Sequence, residues 1–147
     1  PETYVEWSSE FWRDFVSNIP HDFEIALENV MEPDPSMLIE IARNVSDKRF
    51  GLCLDVGHAN TEISAMPPIK WIEPMSPYLK HVHIHNNFGE RDLHNCLGEG
   101  SIQMESVLDR IMSLCPNATF TIENMYSQAS LDWLIDKGYI ENERNRI

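Results

Sequence analysis

Apolar and polar residues alternate in four short segments of the chain, and an amphipathic stretch follows each of them. The two-residue period predicts β-strands with one apolar face over residues 23–29, 50–58, 79–85 and 118–124. Helical spacing predicts helices over residues 34–45, 67–78, 104–115 and 130–138, with a leading helix over residues 4–17. Strands that alternate with helices indicate parallel βαβ units.

Residues at the segment ends support these boundaries. Asp34 is predicted to be the N-cap of its helix, with Pro35 at the first helical position. Prolines within residues 67–78 predict that this helix is short, and Gly138 is predicted to end the last helix. Three aromatic residues on one face of the leading helix are predicted to join the core: Trp7, Phe11 and Phe15.

The polar face of each predicted strand ends in a side chain of a metal-binding type. These side chains are Glu28, Asp55, either His83 or His85, and Glu123. A sheet covered on both faces usually has nearly continuous apolar strands, whereas these strands have one apolar face and one small or polar face. This pattern favours a barrel with helices outside and a functional lumen inside, whose active site lies at the carboxyl ends of the strands.

We therefore predict an α/β fold of the parallel (β/α) TIM-barrel type in which only four βα units are present, a half-barrel. Residues 1–147 form a single domain in this prediction, with a leading helix in 1–19 and the four units in 23–138. The absence of an initiator Met leads us to expect a processed product or a fragment.

Two groups of residues are candidate metal ligands. Three carboxylates and an imidazole at the strand ends (Glu28, Asp55, His83 and Glu123) suit Mn²⁺, Mg²⁺ or Co²⁺, and Zn²⁺ and Fe²⁺ remain open. His58, Asp92 and His94 together resemble a zinc site with an open position. His85 is expected to contact the ligands or the substrate, or to bind metal itself. The alternative for each residue is a solvated strand end or loop, as we expect for His21.

Composition and charge indicate which partners and which cellular compartment to expect for this chain. The chain has 147 residues, of which 42% are hydrophobic and 24% charged, as expected for one soluble globular domain. A net charge of −13 disfavours nucleic acid as a partner unless bound metal offsets it. Three cysteines without a CxxC pair predict a reducing compartment, for which we expect the cytoplasm. Neither a signal-peptide pattern nor an apolar run of about 20 residues is present, so we expect no membrane partner.

Five segments resemble successive motifs of the xylose isomerase-like TIM barrels: "IALEN", "GLCLDVGHA", "KHVHIHNN", "DLHNCLGEGSI" and "FTIEN". That superfamily includes sugar-phosphate isomerases and epimerases, ketose 3-epimerases and the endonuclease IV family. The resemblance runs from Phe23 to about Leu134 and implies that the four strand-end residues are the shared metal ligands. In endonuclease IV-like members, the positions of His58, Asp92 and His94 hold a further zinc, and the position of Glu28 bridges two metals.

The chain departs from the family pattern in three respects. Asn86 stands where many members have Asp in a His-x-x-Asp motif, and the strong negative charge argues against DNA repair. Only four βα units are present, which resemble strands five to eight, whereas the family barrel has eight units in about 250 residues.

The resemblance implies a sugar or sugar-phosphate isomerase or epimerase that depends on a divalent metal (Mn, Zn, Mg or Co). In it, Glu28 and Glu123 would exchange the proton alpha to a carbonyl. Two alternatives stay open: an endonuclease IV-like phosphodiester hydrolase and a non-catalytic metal-binding half-barrel. The expected partners are a small-molecule sugar or sugar phosphate, and a second chain that associates through the open barrel edges.

Overall fold

The computed structural model describes residues 2–141 and confirms the predicted alternation of strands and helices. The strands are β1 (Ile25–Glu28), β2 (Phe50–Asp55), β3 (Leu79–Ile84) and β4 (Thr119–Ile122). The helices are α1 (Glu2–Asn18), α2 (Ser36–Val45), α3 (Ile69–Met75), α4 (Met104–Leu114) and α5 (Ser127–Asp136). A short 3₁₀ turn spans His58–Asn60. No helix in the described part of the chain is both long and apolar enough to cross a membrane.

The four strands form one parallel sheet in the order β1-β2-β3-β4. Its register places Asp55 beside His83 and His83 beside Thr121, so the polar ends of neighbouring strands align. Past the end of β4, the backbone N–H of Glu123 donates to the carbonyl of Ile84 at 3.1 Å. All four carboxyl ends therefore meet at one edge of the sheet.

One face of the sheet is buried under the helices. The core side chains of the two central strands include Leu52, Leu54, Val82 and Ile84, all at most 2% exposed. Trp71 of α3 packs in the same core. Each fully buried side chain of this size stabilises the fold by about 1.5–3 kcal/mol, so this face anchors the strands whose other face carries the polar residues.

The helix boundaries differ slightly from the predicted ones. Helix α2 begins at Ser36 with Pro35 as its N-cap, one residue later than expected, and the Asp34 carboxylate accepts a hydrogen bond from the Ser36 N–H at 2.8 Å. Helix α5 begins at Ser127 rather than at residue 130. Gly138 follows α5 with a φ of +79°, the left-handed conformation that glycine adopts without strain, as predicted.

The prediction that Trp7, Phe11 and Phe15 belong to the core is wrong in the described structure, although Trp12 of the same helix packs against the core. Trp7, Phe11 and Phe15 are 69%, 58% and 41% exposed, respectively. The buried residues of α1 are instead Val5, Ser9 and Val16, and the Ser9 hydroxyl accepts a hydrogen bond from the side-chain amide of Asn44 in α2. Because this helix has two apolar faces, periodicity identifies both but cannot tell which one a neighbour covers.

Candidate metal centres

The carboxyl ends of the four strands bring together Glu28, Asp55, His83 and Glu123, here called the strand-end cluster. One potential ligand atom from each residue lies within 4.8 Å of the others. Glu28 and Asp55 are the last residues of β1 and β2, and Glu123 directly follows β4. The strand pattern predicts Glu28, Asp55 and Glu123 at strand ends and leaves His83 or His85 open on β3, and the structure brings His83 into this cluster.

A single imidazole nitrogen lies between the carboxylates of this cluster. His83 Nδ1 is 3.0 Å from Glu123 Oε2, 3.2 Å from Glu28 Oε1 and 3.6 Å from Asp55 Oδ2. One N–H cannot satisfy three carboxylates, and their negative charges repel one another at this separation. A divalent cation would neutralise that charge and occupy the space they face.

The protonation behaviour of the cluster reflects this crowding. The Asp55 carboxylate, together with Glu28 and Glu123, raises the pKa of His83 to about 9, although burial acts in the opposite direction. Burial would raise the pKa of Asp55, but the imidazoles of His83 and His85 hold it well below its ordinary value. Burial and the neighbouring Asp55 carboxyl raise the pKa of Glu123.

The cluster fits a divalent metal ion. Within the described residues, the buried Glu123 Oε2 makes no hydrogen bond, because its 3.0 Å contact with His83 Nδ1 does not have hydrogen-bond geometry. A buried carboxylate oxygen without a hydrogen bond is unfavourable unless another ligand satisfies it. Three carboxylates and one imidazole form the oxygen-rich donor set that Mn²⁺, Mg²⁺ and Co²⁺ prefer, and Zn²⁺ can also use it.

Asn29 orients the buried Asp55 and was not identified from the sequence. Its side-chain oxygen accepts from the Asp55 N–H at 2.7 Å, and its amide donates to the Asp55 carbonyl at 3.0 Å. The Asp55 carboxylate in turn accepts from the His58 N–H at 2.7 Å. The one available signal was the repeated Glu-Asn pair at residues 28–29 and 123–124.

A second group lies in and beside the loop that follows β3. It consists of His58, His85, Asp92 and His94, whose potential ligand atoms also lie within 4.8 Å of one another; we call it the loop cluster. Asp92 Oδ2 is 2.8 Å from His94 Nε2 and 3.2 Å from His58 Nε2. The structure thus brings the sequence-predicted trio together and adds His85, which belongs to this cluster rather than to the strand ends.

Two further histidines lie outside both clusters. His81 points along the polar face of the sheet and contacts the hydroxyls of Thr119 and Thr121 at 2.6 and 2.9 Å. His21 is exposed, as expected.

Asn86, the departure from the family's His-x-x-Asp motif, is buried and shapes the loop. Its amide donates to the Leu97 carbonyl at 2.8 Å, and its side-chain oxygen accepts from the Ile102 N–H at 3.1 Å. We infer that Asn86 fixes the loop that carries Asp92 and His94.

Comparison with known proteins gives consistent matches. A family model described as "Xylose isomerase-like TIM barrel" matches residues 13–136. The uncharacterized protein MJ1311 of Methanocaldococcus jannaschii is 30% identical over 84% of this chain and 47% of its own length. The chain spans about half the length, or less, of the curated relatives that it matches.

Two solved structures are similar to this chain in fold and sequence. The crystal structure of a D-tagatose 3-epimerase-like protein has a TM-score of 0.71 and 29% identity, covering 96% of this chain and 58% of that one. The TTHB071 protein from Thermus thermophilus, whose crystal was soaked with ZnCl₂, has a TM-score of 0.63 and 25% identity, covering 78% of this chain and 44% of its own.

Proposed function

The chain belongs to the xylose isomerase-like TIM barrel family, and on that premise we propose that it is the C-terminal half of a divalent-metal-dependent sugar or sugar-phosphate isomerase or epimerase. The observation that carries this proposal is the strand-end cluster, in which three carboxylates converge on one imidazole. The similarity to a D-tagatose 3-epimerase-like protein supports the reaction class. The similarity to a protein studied with ZnCl₂ supports a divalent ion.

Glu28 and Glu123 would carry out the proton transfer. They approach His83 Nδ1 from different strands, at 3.2 and 3.0 Å, so a substrate between them would meet a carboxylate on each side. One carboxylate would remove the proton alpha to the carbonyl, and the other would return a proton to the opposite face. The pKa of Glu123, raised by burial and by the neighbouring Asp55 carboxyl, favours its protonated form more than in an ordinary glutamate, which suits a group that takes up and returns a proton.

A divalent ion held by Glu28, Asp55, His83 and Glu123 would polarise the substrate oxygens and stabilise the negative charge that develops on them. The buried Asp55 and Asn29 hold the ends of β1 and β2 together, so Glu28 at the end of β1 stays fixed relative to the substrate.

Exchange of the alpha proton with solvent tests this proposal whichever sugar is the substrate. The metal-loaded protein is incubated in D₂O with a panel of ketoses and sugar phosphates, and deuterium incorporation is followed by NMR. We expect exchange in the wild type and its loss, by at least about a hundredfold, in Glu28→Gln and Glu123→Gln.

Glu24→Gln is the matched control. Glu24 lies in the same part of the chain as Glu28 but forms an exposed ion pair with Lys80, away from the cluster. Exchange that persists in Glu123→Gln would refute the assigned role of that residue. No exchange with any member of the panel would favour the non-catalytic metal-binding alternative.

An endonuclease IV-like phosphodiester hydrolase is the second candidate, and the loop cluster is the observation that favours it. His58 Nδ1 lies 3.4 Å from Glu28 Oε1, so the two clusters adjoin as a multinuclear centre requires. The net charge of −13 opposes this function, because phosphate backbones are repelled.

We predict that the metal-free protein does not bind duplex DNA at physiological salt. Fluorescence anisotropy with an abasic-site duplex measures this directly, and the same duplex without the lesion is the control. Sub-micromolar binding followed by strand cleavage after metal is added would place the hydrolase ahead of the isomerase.

A further inference from the structure

We propose that the aromatic face of α1, formed by Tyr4, Trp7, Phe11 and Phe15, is the docking surface for a complementary half-barrel of four strands and three helices. The last strand of that half-barrel would pair with the open edge of β1. This inference rests on the proposed function only in so far as the chain is half of a barrel, and it does not depend on the reaction.

The aromatic face is an exposed apolar stripe along the helix. Its four side chains are 55%, 69%, 58% and 41% exposed, in chain order. Spacings of three and four residues place them on one side of α1, and the rings of Phe11 and Phe15 stack with centroids 6.0 Å apart. An aromatic side chain buries about 150–250 Å², so four half-exposed ones leave roughly 300–500 Å² for an interaction partner.

Contacts on the opposite side of α1 hold this face outward. Trp12 packs on Phe50 of β2, with ring centroids 5.5 Å apart. Arg13 donates a hydrogen bond to the Asn44 carbonyl in α2 at 3.0 Å. The aromatic face cannot turn into the core of this chain without breaking these contacts, so its cover has to come from outside the described residues.

The open edge of β1 lies at the same end of the molecule. The helices pack in the order α1, α2, α3, α4, and the strands pair in the order β1, β2, β3, β4, so α1 and β1 both stand at the first position. The Ile25 N–H donates to the Arg49 carbonyl at 2.7 Å. Backbone groups of successive strand residues point to opposite sides, so those of Ala26 and Glu28 face away from β2 and can pair with a further strand.

The number of elements identifies what fits both surfaces. A (β/α) barrel has eight strands, each followed by a helix. The described chain has four strands and five α-helices, because α1 precedes β1 and α5 follows β4. Its complement then supplies four strands and the three helices between them. The last of those strands would pair with β1 beside Glu28, and the helix before it would cover the aromatic face. Just over half of the length of MJ1311 lies outside its match to this chain, which is enough for such a complement.

Two other occupants fit this face less well. A second copy also offers a strand edge, but it brings five α-helices, so α5 of one copy would crowd α1 of the other. A complement with three helices should therefore bind more tightly than a second copy. A membrane surface is disfavoured because three exposed acids, Glu6, Glu10 and Asp14, lie beside the aromatic face and are repelled by anionic lipid headgroups.

Co-expression with the part of MJ1311 outside its match to this chain tests the proposal. That fragment carries an affinity tag, this chain carries none, and native mass spectrometry of the eluted protein gives the stoichiometry. The chain is labelled with 5-fluorotryptophan, so that fluorine NMR reports on Trp7 separately from the buried Trp71. If the fragment is insoluble on its own, it is fused in front of this chain, and the Trp7 signal of the fusion decides.

We expect a complex of one chain with one fragment, in which the Trp7 signal shifts and the Trp71 signal does not. Phe11→Glu should reduce the recovered complex at least about tenfold, because it places a charge in the centre of the contact. Met112→Glu is the matched control, at an exposed apolar position on α4, and should leave the complex unchanged. Circular dichroism verifies the fold of both variants.

Three results would overturn the proposal. The first is the absence of a complex together with an unchanged Trp7 signal in the fusion. The second is equal recovery of complex with Phe11→Glu and with the wild type. The third is binding to vesicles of phosphatidylcholine and phosphatidylserine that Phe11→Glu abolishes, which would assign the face to a membrane. None of these measurements involves a substrate, so a failure of docking remains distinguishable from a failure to detect proton exchange.

Discussion

Asp55 is a fully buried carboxylate whose ion-pair partners in the described part of the chain are histidines. Burying a charged group is costly unless hydrogen bonds and opposite charge compensate it. The His58 N–H and His85 Nε2 supply hydrogen bonds, but they leave the carboxylate among two further acids of the strand-end cluster. The metal ion proposed for this cluster would supply that compensation.

Removal of the Asp55 carboxylate should therefore lower the affinity of the protein for divalent metal ions. We predict that Asp55→Ala weakens divalent-ion binding at least about tenfold, because one charged ligand is lost and the orientation of His85 with it. Titration calorimetry measures the affinity, and circular dichroism verifies the fold. Asp109→Ala is the control, because it removes a carboxylate of α4 that accepts a hydrogen bond from the Tyr139 hydroxyl. An affinity equal to that of the wild type would reject the strand-end cluster as a metal site.

The protonation of His83 predicts how metal binding depends on pH. Its pKa of about 9 in the metal-free protein means that a proton must leave before the nitrogen can bind metal. We predict that Mn²⁺ affinity rises with pH until about 9 and then levels off. Calorimetric titrations at several pH values measure this slope, and an affinity independent of pH between 6.5 and 9 would contradict it.

The stability of the metal-free protein should show the opposite trend. Because the pKa of His83 is raised on folding, His83 stabilises the folded protein. Its contribution to the free energy of unfolding is fully present below pH 6.5 and is lost as the pH rises through about 9.

The strands were predictable from the sequence because an alternating pattern determines which residues share a face. The acids that end β1 and β2 stand at the carboxyl ends of parallel strands, so their convergence follows from topology. The choice between His83 and His85 did not follow, because both lie on the same face by alternation. His85 lies just beyond the end of β3, where the chain leaves the sheet and the two-residue period no longer applies.

Other features depended on tertiary contacts that no local pattern contains. Asn29 bridges two strands through hydrogen bonds across 26 positions of the chain, and Asn86 binds backbone groups of a loop that returns to it. The buried face of α1 was misassigned for the same reason, since the position of α2 decides which of its apolar faces is covered.

The turn after β2 gives a prediction at the level of the element. Gly57 has a φ of −71° and a ψ of −44°, which alanine adopts readily, so Gly57→Ala acts only through the methyl group that would meet the His85 ring. We predict a loss of about 1–3 kcal/mol in the free energy of unfolding, as for other overpacked sites. Urea unfolding measures it.

Gly98→Ala is the comparison for this substitution. Its added methyl would lie 3.0 Å from Cδ1 of Trp133, a partly buried side chain that can shift, so the loss should be smaller. Equal unfolding free energies for Gly57→Ala and the wild type would show that the His85 ring moves freely, contrary to the close packing described above.

At the scale of the whole molecule, the described sheet has two open edges. β1 pairs only with β2, and β4 pairs only with β3, whereas a closed (β/α) barrel has eight strands. Residues 119–121 of β4 are exposed, and α1 packs against α2 while its Trp7, Phe11 and Phe15 are exposed. Unpaired strand edges and exposed apolar side chains favour association with another chain.

We predict that the 17.1 kDa chain self-associates, with β1 of one copy beside β4 of the other. Two such contacts would close an eight-stranded barrel with two-fold symmetry, which removes both edges at once. Sedimentation velocity at low micromolar concentration should show a species of twice the chain mass. Phe120→Lys places a charge on the exposed edge strand and should shift the protein toward the monomer, whereas Met112→Lys, at an exposed apolar position on α4, should not. A single 17.1 kDa species that does not change with concentration would contradict the prediction.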